Sequence, residues 1–140
     1  MREALARHAR LRGHDTWCVG AQDGSPFDYP DAADLAVKDL LSGRADRAVM
    51  VCGTGIGISI RANRYTGVRA ANCCSVPMAE MARRHNQANA LCLGARFVDD
   101  ALAKEILDAF LETSEDTEER HRRRVELLDG SVFDSAGEQC

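Results

Sequence analysis

The chain has 140 residues, a formal net charge of -4, and ordinary apolar and charged shares of 45% and 29%. This length allows one domain with a substantial core, the acidic balance argues against a general nucleic-acid binder, and no apolar run is long enough to span a membrane. The six cysteines (Cys18, Cys52, Cys73, Cys74, Cys92 and Cys140) form no C-x-x-C pair and read as reduced thiols of a cytoplasmic protein, mostly core fillers.

In chain order, Arg2 to Arg12 is rich in helix formers and reads as a helix rather than as the apolar region of a signal peptide. His14 to Val19 is a short strand candidate closed by Gly20, and the Gly, Pro, Ser and Asp of 21–30 predict a loop. Asp31 to Leu41 is an amphipathic helix with Ala33, Ala36, Val37, Leu40 and Leu41 inward, ending at Ser42-Gly43. Arg47 to Cys52 predicts a strand, Ile58 to Tyr65 a helix, Val68 to Cys73 a strand, and Pro77 to His85 a helix with proline in its first turn. Ala90 to Leu93 is a strand ended by Gly94, Asp99 to Leu111 a helix, and Asp116 to Leu128 a final, highly charged helix. The tail 131–140 reads as flexible. Alternating strands and helices predict an α/β fold: a three-layer, Rossmann-like open parallel sheet of four strands with helices on both faces, as one domain over 1–130.

The segment carrying most chemistry is Val49-Met50-Val51-Cys52-Gly53-Thr54-Gly55-Ile56-Gly57-Ile58-Ser59. An apolar run ends in a cysteine, three glycines alternate with Thr54 and Ile56, and a helix follows. Glycines let backbone N–H groups approach a ligand, and a helix N-terminus favours negative charge. The G-x-G-x-G spacing is neither the dinucleotide fingerprint, which needs G-x-G-x-x-G and a later acid, nor a P-loop. It could also be only a tight strand-to-helix turn. On burial habit Cys52 reads as core filler. Its place at a strand's carboxyl end against a helix start, where ligands of open parallel sheets bind and a thiolate is favoured, reads as a base or nucleophile.

Three further features have two readings each. His85-Asn86 closes a helix, so His85 is either a surface cap or a proton shuttle. The run Arg120-His121-Arg122-Arg123-Arg124 is either a solvated helix face or, through Arg120 and Arg124 at i and i+4, a clamp matching a phosphate dianion. Tyr29 either shapes its loop or lines a site, while Arg96 follows a strand's carboxyl end, where ligands are expected.

Together Asp28-Tyr29-Pro30, Cys52 to Ser59, Arg83-Arg84-His85-Asn86 with Asn89, Gly94-Ala95-Arg96, and Arg120-His121 through Arg124-Val125 resemble the type B ribose-5-phosphate isomerase family, which includes the galactose-6-phosphate isomerase subunits. The resemblance runs from about Arg2 to Leu128. It implies interconversion of an aldose and a ketose phosphate, first of all ribose 5-phosphate and ribulose 5-phosphate of the pentose phosphate pathway, through a cis-enediolate. Cys52 is then the base and the backbone of Gly53, Gly55, Ile56 and Gly57 the oxyanion site. His85 is the ring-opening acid with Thr54 assisting. Asn86 and Arg96 hold hydroxyls, Arg120 and Arg124 hold the phosphate, and Tyr29 borders the substrate. No metal or cofactor is implied. The partners implied are a small sugar phosphate and further copies of the chain, a homodimer or homotetramer with the site between subunits, without nucleic acid or membrane.

The family's first strand, which ends Cys-Asp-His-Ala-Gly, has no counterpart here; Met1 stands at the helix after it, and neither His8 nor His14 matches. In the sheet order the resemblance implies, 2-1-3-4-5, that strand lies beside Arg47 to Cys52, and its absence leaves a gap of about 10 Å. A start codon assigned too late, a shift of His14 to Val19 onto Arg47 to Cys52, or a partner chain would each account for the gap. The first is expected for the native protein, and a four-stranded or locally distorted sheet for this chain. The missing strand also raises the alternative of a non-catalytic phosphosugar-binding or subunit-like protein. A redox-sensing thiol protein is a more distant one, since no resolving cysteine is predictably adjacent to Cys52.

Overall fold

The computed structural model describes residues 1–21 and 24–130, so the expected tail and part of the 21–30 loop lie outside the described residues. The elements are α1 (Arg2–Leu11), α2 (Tyr29–Leu41), β1 (Ala48–Cys52), α3 (Ile56–Ala62), β2 (Ala70–Asn72), α4 (Val76–Asn86), β3 (Ala90–Gly94), α5 (Asp100–Glu112) and α6 (Glu119–Asp129). No helix among the described residues is long and apolar enough to cross a membrane.

The sheet is parallel and three-stranded, in the order β1-β3-β2, with Cys52 opposite Gly94 and Asn72 opposite Cys92. This corrects the expected order, in which Ala90 to Gly94 would have been an edge. Ala90-Leu91-Cys92-Leu93-Gly94 is buried at every position, as a central strand of a covered parallel sheet requires. The three residues of β2 are only half-buried, which suits an edge. The chain therefore skips a place from β1 to β2 and returns from β2 to β3. Right-handed crossovers in these opposite directions put α3 and α4 on opposite faces.

Period-two alternation divides the core accordingly. Leu91 and Leu93 face one cluster, with Leu5, Ala79, Ile106 and Phe110 from α1, α4 and α5. Ala90 and Cys92 face the other, with Ala33, Val37 and Ile58 from α2 and α3. Burying a side chain such as Phe110 contributes roughly 1.5–3 kcal/mol. Of the predicted inward face of α2, Leu41 is the exception: it is half-exposed, beyond the last turn that meets the sheet.

Three boundaries moved for local reasons. α3 starts two residues early because Gly55, in the left-handed region at φ 77°, serves as its N-cap. It stops at Asn63, whose side chain donates to the Ala70 carbonyl at 2.9 Å and accepts from the Ala70 N–H at 2.8 Å, tying it to β2. α6 begins at Glu119 rather than Asp116, and the Asp116 carboxylate accepts the Glu118 N–H at 2.8 Å just ahead of it.

The largest correction concerns residues 14–19, which form no strand, so the expected fourth strand is absent among the described residues. Their carbonyls are taken by α1 instead: Arg10 donates to the Thr16 oxygen at 2.9 Å and Arg2 to that of Val19 at 3.4 Å. Trp17 donates its indole N–H to Asp39 at 2.8 Å. Between this segment and β1 lies a cavity of about 410 Å³, walled in part by Leu5, Ala9, Val49, Val51 and Leu107. The segment has therefore not closed up on β1, and the outer edge of β1 has no strand partner among the described residues.

Candidate active site

Cys52 ends β1 at the carboxyl edge of the sheet, half-buried. Its carbonyl accepts the Ala95 N–H at 2.9 Å, which anchors the strand end to the turn after β3. The chain then folds back over the sulfur, and the Gly55 N–H donates to Cys52 Sγ at 3.1 Å. The Ile56 N–H turns to Thr54 Oγ1 at 3.3 Å. Two of the loop's expected oxyanion donors are thus engaged within the loop itself, one of them directly on the thiol.

The glycines are set by close neighbours. A Cβ on Gly57 would meet the Tyr29 ring at 2.8 Å, one on Gly53 would meet Arg96 Nε at 3.3 Å, and one on Gly55 would overlap the Asn72 side chain. Tyr29, Asn72 and Arg96 therefore close around the loop, from the start of α2, the end of β2 and the turn after β3. The Asn72 amide also donates to the Thr54 carbonyl at 3.4 Å. Asn72 borders the loop, which reading the sequence did not anticipate. Its signal was a polar residue ending an otherwise apolar strand at the ligand-binding edge.

His85 and Asn86 stand at the other end of the molecule. α4 leaves the carboxyl end of β2 and runs 11 residues back to the amino end of β3, roughly 16 Å of helix. Its last turn is held there by Arg69, whose Nε bonds the Asn86 carbonyl at 3.1 Å. The His85 ring stacks on His121 of α6, with centroids 4.3 Å apart and planes 4° from parallel. α6 buries His121 and Val125 against α4, which leaves Arg120 and Arg124 exposed on a neighbouring face. Arg120 is paired with Glu118 at 2.7 Å. The chain thus carries two separated groups. Cys52, Gly53, Thr54, Gly55, Ile56, Gly57, Tyr29 and Arg96 gather at the carboxyl edge. His85, Asn86, Arg120 and Arg124 gather around the far end of α4.

The Ribose/Galactose Isomerase family matches residues 1–128 of the chain. Ribose-5-phosphate isomerase B of Escherichia coli (strain K12) is 35% identical over 128 residues, 91% of this chain and 85% of that protein. D-erythrulose-4-phosphate isomerase of Pectobacterium atrosepticum is 43% identical over 84 residues, 60% of this chain and 55% of that protein. Among solved structures, a ribose 5-phosphate isomerase from Thermotoga maritima superposes with a TM-score of 0.87 at 41% identity, covering 91% of this chain and 88% of the other. The type B ribose 5-phosphate isomerase of Trypanosoma brucei gives 0.89 at 39% identity, covering 92% and 88%.

Proposed function

The chain belongs to the ribose/galactose isomerase family, and on that premise we propose that it is an aldose–ketose isomerase converting ribose 5-phosphate to ribulose 5-phosphate in the cytoplasm, with residues 1–130 as its single domain. The observation that carries the mechanism is Cys52 Sγ at the sheet's carboxyl edge, oriented by the Gly55 N–H at 3.1 Å.

The thiolate of Cys52 takes the proton from C2 of the open-chain aldose and returns it to C1, while the hydroxyl proton of O2 passes to O1 so that C2 becomes the carbonyl. The charge that develops on the substrate oxygen in between is met by the N–H groups of Gly53 and Gly57, joined by those of Gly55 and Ile56 when they leave Cys52 Sγ and Thr54 Oγ1, an oxyanion-hole role. His85, with Thr54 assisting, protonates the ring oxygen so that the sugar opens. Arg96 and Asn86 hold hydroxyls, Tyr29 borders the sugar, and Arg120 and Arg124 grip the phosphate. Because the two groups lie at opposite ends of one protomer, a complete site takes Cys52 from one copy and His85 with the arginines from another. A homodimer is the minimum unit, and a homotetramer repeats it. The relative acting on a four-carbon phosphate makes sugar length a matter for assay.

The test is to incubate the full chain with ribose 5-phosphate in deuterium oxide and follow ribulose 5-phosphate and deuterium at C1 by NMR. Turnover that disappears in Cys52→Ala, with the fold retained by circular dichroism, is expected. Phosphosugar binding without turnover, unaffected by Cys52→Ala, would instead establish the non-catalytic, subunit-like reading. The open edge of β1 beside the loop favours that second reading.

A further inference from the structure

α6 meets the end of α4 through a pair of imidazoles. The rings of His85 and His121 stack with centroids 4.3 Å apart and planes 4° from parallel. His121 is 5% exposed, while His85 is only half-buried, so one face of the His85 ring is covered and the rest of it stays open. Asp116, just ahead of α6, holds this arrangement from two sides. Its N–H donates at 2.9 Å to the Arg84 carbonyl, one of the last-turn carbonyls that a helix leaves without a partner, and Arg84 directly precedes His85. Its Oδ1 accepts the Glu118 N–H at 2.8 Å, and its Oδ2 faces His121 Nε2 at 3.8 Å, an ion-pair distance when that ring is protonated. Packing alone would be served by an aliphatic side chain, as at Val125, the other residue that α6 buries. His121 instead keeps a buried ring nitrogen without a hydrogen bond, a cost that a contact made only for packing would not carry.

Resting on the isomerase reading, in which His85 opens the sugar ring, we propose that His121, held by Asp116, is the positioning residue of His85 and fixes the plane in which His85 delivers its proton. An imidazole N–H lies in its ring plane, and a hydrogen bond prefers an angle above about 150°. The last side-chain torsion of histidine is broad, so an unsupported ring would swing its N–H away from the substrate's ring oxygen. The parallel face of His121 blocks that turn. Arg120 and Arg124, before and after it on α6, are exposed and take no part in the stack.

The test separates ring opening from proton transfer at carbon. Ribose 5-phosphate is cyclic and must be opened, whereas ribulose 5-phosphate has O5 blocked by its phosphate and is already open-chain. Full-length wild type, His121→Ala and His121→Phe are assayed for kcat and KM on ribose 5-phosphate. The same proteins are followed by NMR for exchange of a C1 hydrogen of ribulose 5-phosphate in deuterium oxide. In His121→Ala, kcat on ribose 5-phosphate should fall about 10- to 100-fold with KM held, and the Cys52-dependent exchange should continue at the wild-type rate. His121→Phe, which keeps a flat ring against His85, should recover most of the lost kcat. Equal losses in the two reactions, no loss in His121→Ala, or no recovery in His121→Phe would each overturn the role of His121. A wild type that performs neither reaction would instead overturn the isomerase reading itself, and the positioning role with it.

Discussion

The Asn72 side chain occupies the space where a Cβ on Gly55 would stand, and Gly55 itself sits at φ 77°. Gly55→Ala therefore meets three obstacles: left-handed backbone, costing about 1–2 kcal/mol, displacement of Asn72, and a tight approach to the Gly94 backbone nitrogen at 3.1 Å. The variant should melt lower and lose activity, since the same N–H orients the Cys52 sulfur. In an Asn72→Ala background the Asn72 clash is gone, and only the left-handed backbone and the Gly94 contact remain. A double-mutant cycle on thermal stability should thus show Gly55→Ala to be less costly there than in the wild type. Equal costs in both backgrounds would refute the steric account.

Arg120 and Arg124 lie one helical turn apart on α6, exposed and without a buried role. Replacing either with alanine should leave the melting temperature nearly unchanged. Loss of one charge-assisted contact to phosphate, about 1.5–3 kcal/mol, should raise KM roughly 10- to 100-fold. A steady-state comparison with the non-phosphorylated sugar supplies the control, because that substrate gains nothing from either arginine. An unchanged KM for the phosphate would remove the clamp.

The Ala48 N–H is bonded to the Asn89 carbonyl, toward β3. Strand alternation then turns the Val49 and Val51 N–H groups the opposite way, toward the cavity beside residues 14–19. Amide hydrogen exchange read by NMR should find Val49 and Val51 much less protected than Met50, Leu91 and Leu93, which lie in the paired ladder. Equal protection across β1 would mean that its outer edge is paired in solution.

Burial holds the Cys73 thiol up at about 11 and raises that of Cys92 further. In the unfolded chain both ionise near 9, so between pH 9 and 11 the folded state keeps protons that the unfolded state has lost. The stability from these neutral buried thiols is complete below pH 9 and declines as pH rises through this window, by up to about 1.4 kcal/mol per unit per thiol. Urea melts at pH 8, 9 and 10 should show this decline, and Cys92→Ala should flatten it. A slope identical in that variant would locate the titration elsewhere.

Much of the fold was legible because its signals are local. The 3.6-residue apolar period of Asp31 to Leu41, the proline opening α4 and the glycines after β1 and β3 each report on a few neighbouring residues. So does the loop from Cys52 to Gly57, whose glycines mark the turn from β1 into α3. The sheet's order was not legible. A strand's neighbours are chosen by long-range packing, and only the complete burial of Ala90 to Gly94 distinguishes the centre from an edge. The one residue beside the loop that was missed failed for the same reason: Asn72 matters through Gly55, 17 residues away in sequence.

The sequence by itself determined the order of the six helices and of the three strands that form, the chemistry available and the family, because helix period, turn residues and motif spacing are written in consecutive positions. The tertiary structure alone decided three things. It left His14 to Val19 outside the sheet, since a strand exists only when another offers its hydrogen bonds. It made the last strand the central one. And it parted Cys52 from His85 by the length of α4, because a helix returning across a parallel sheet must carry its ends to opposite edges.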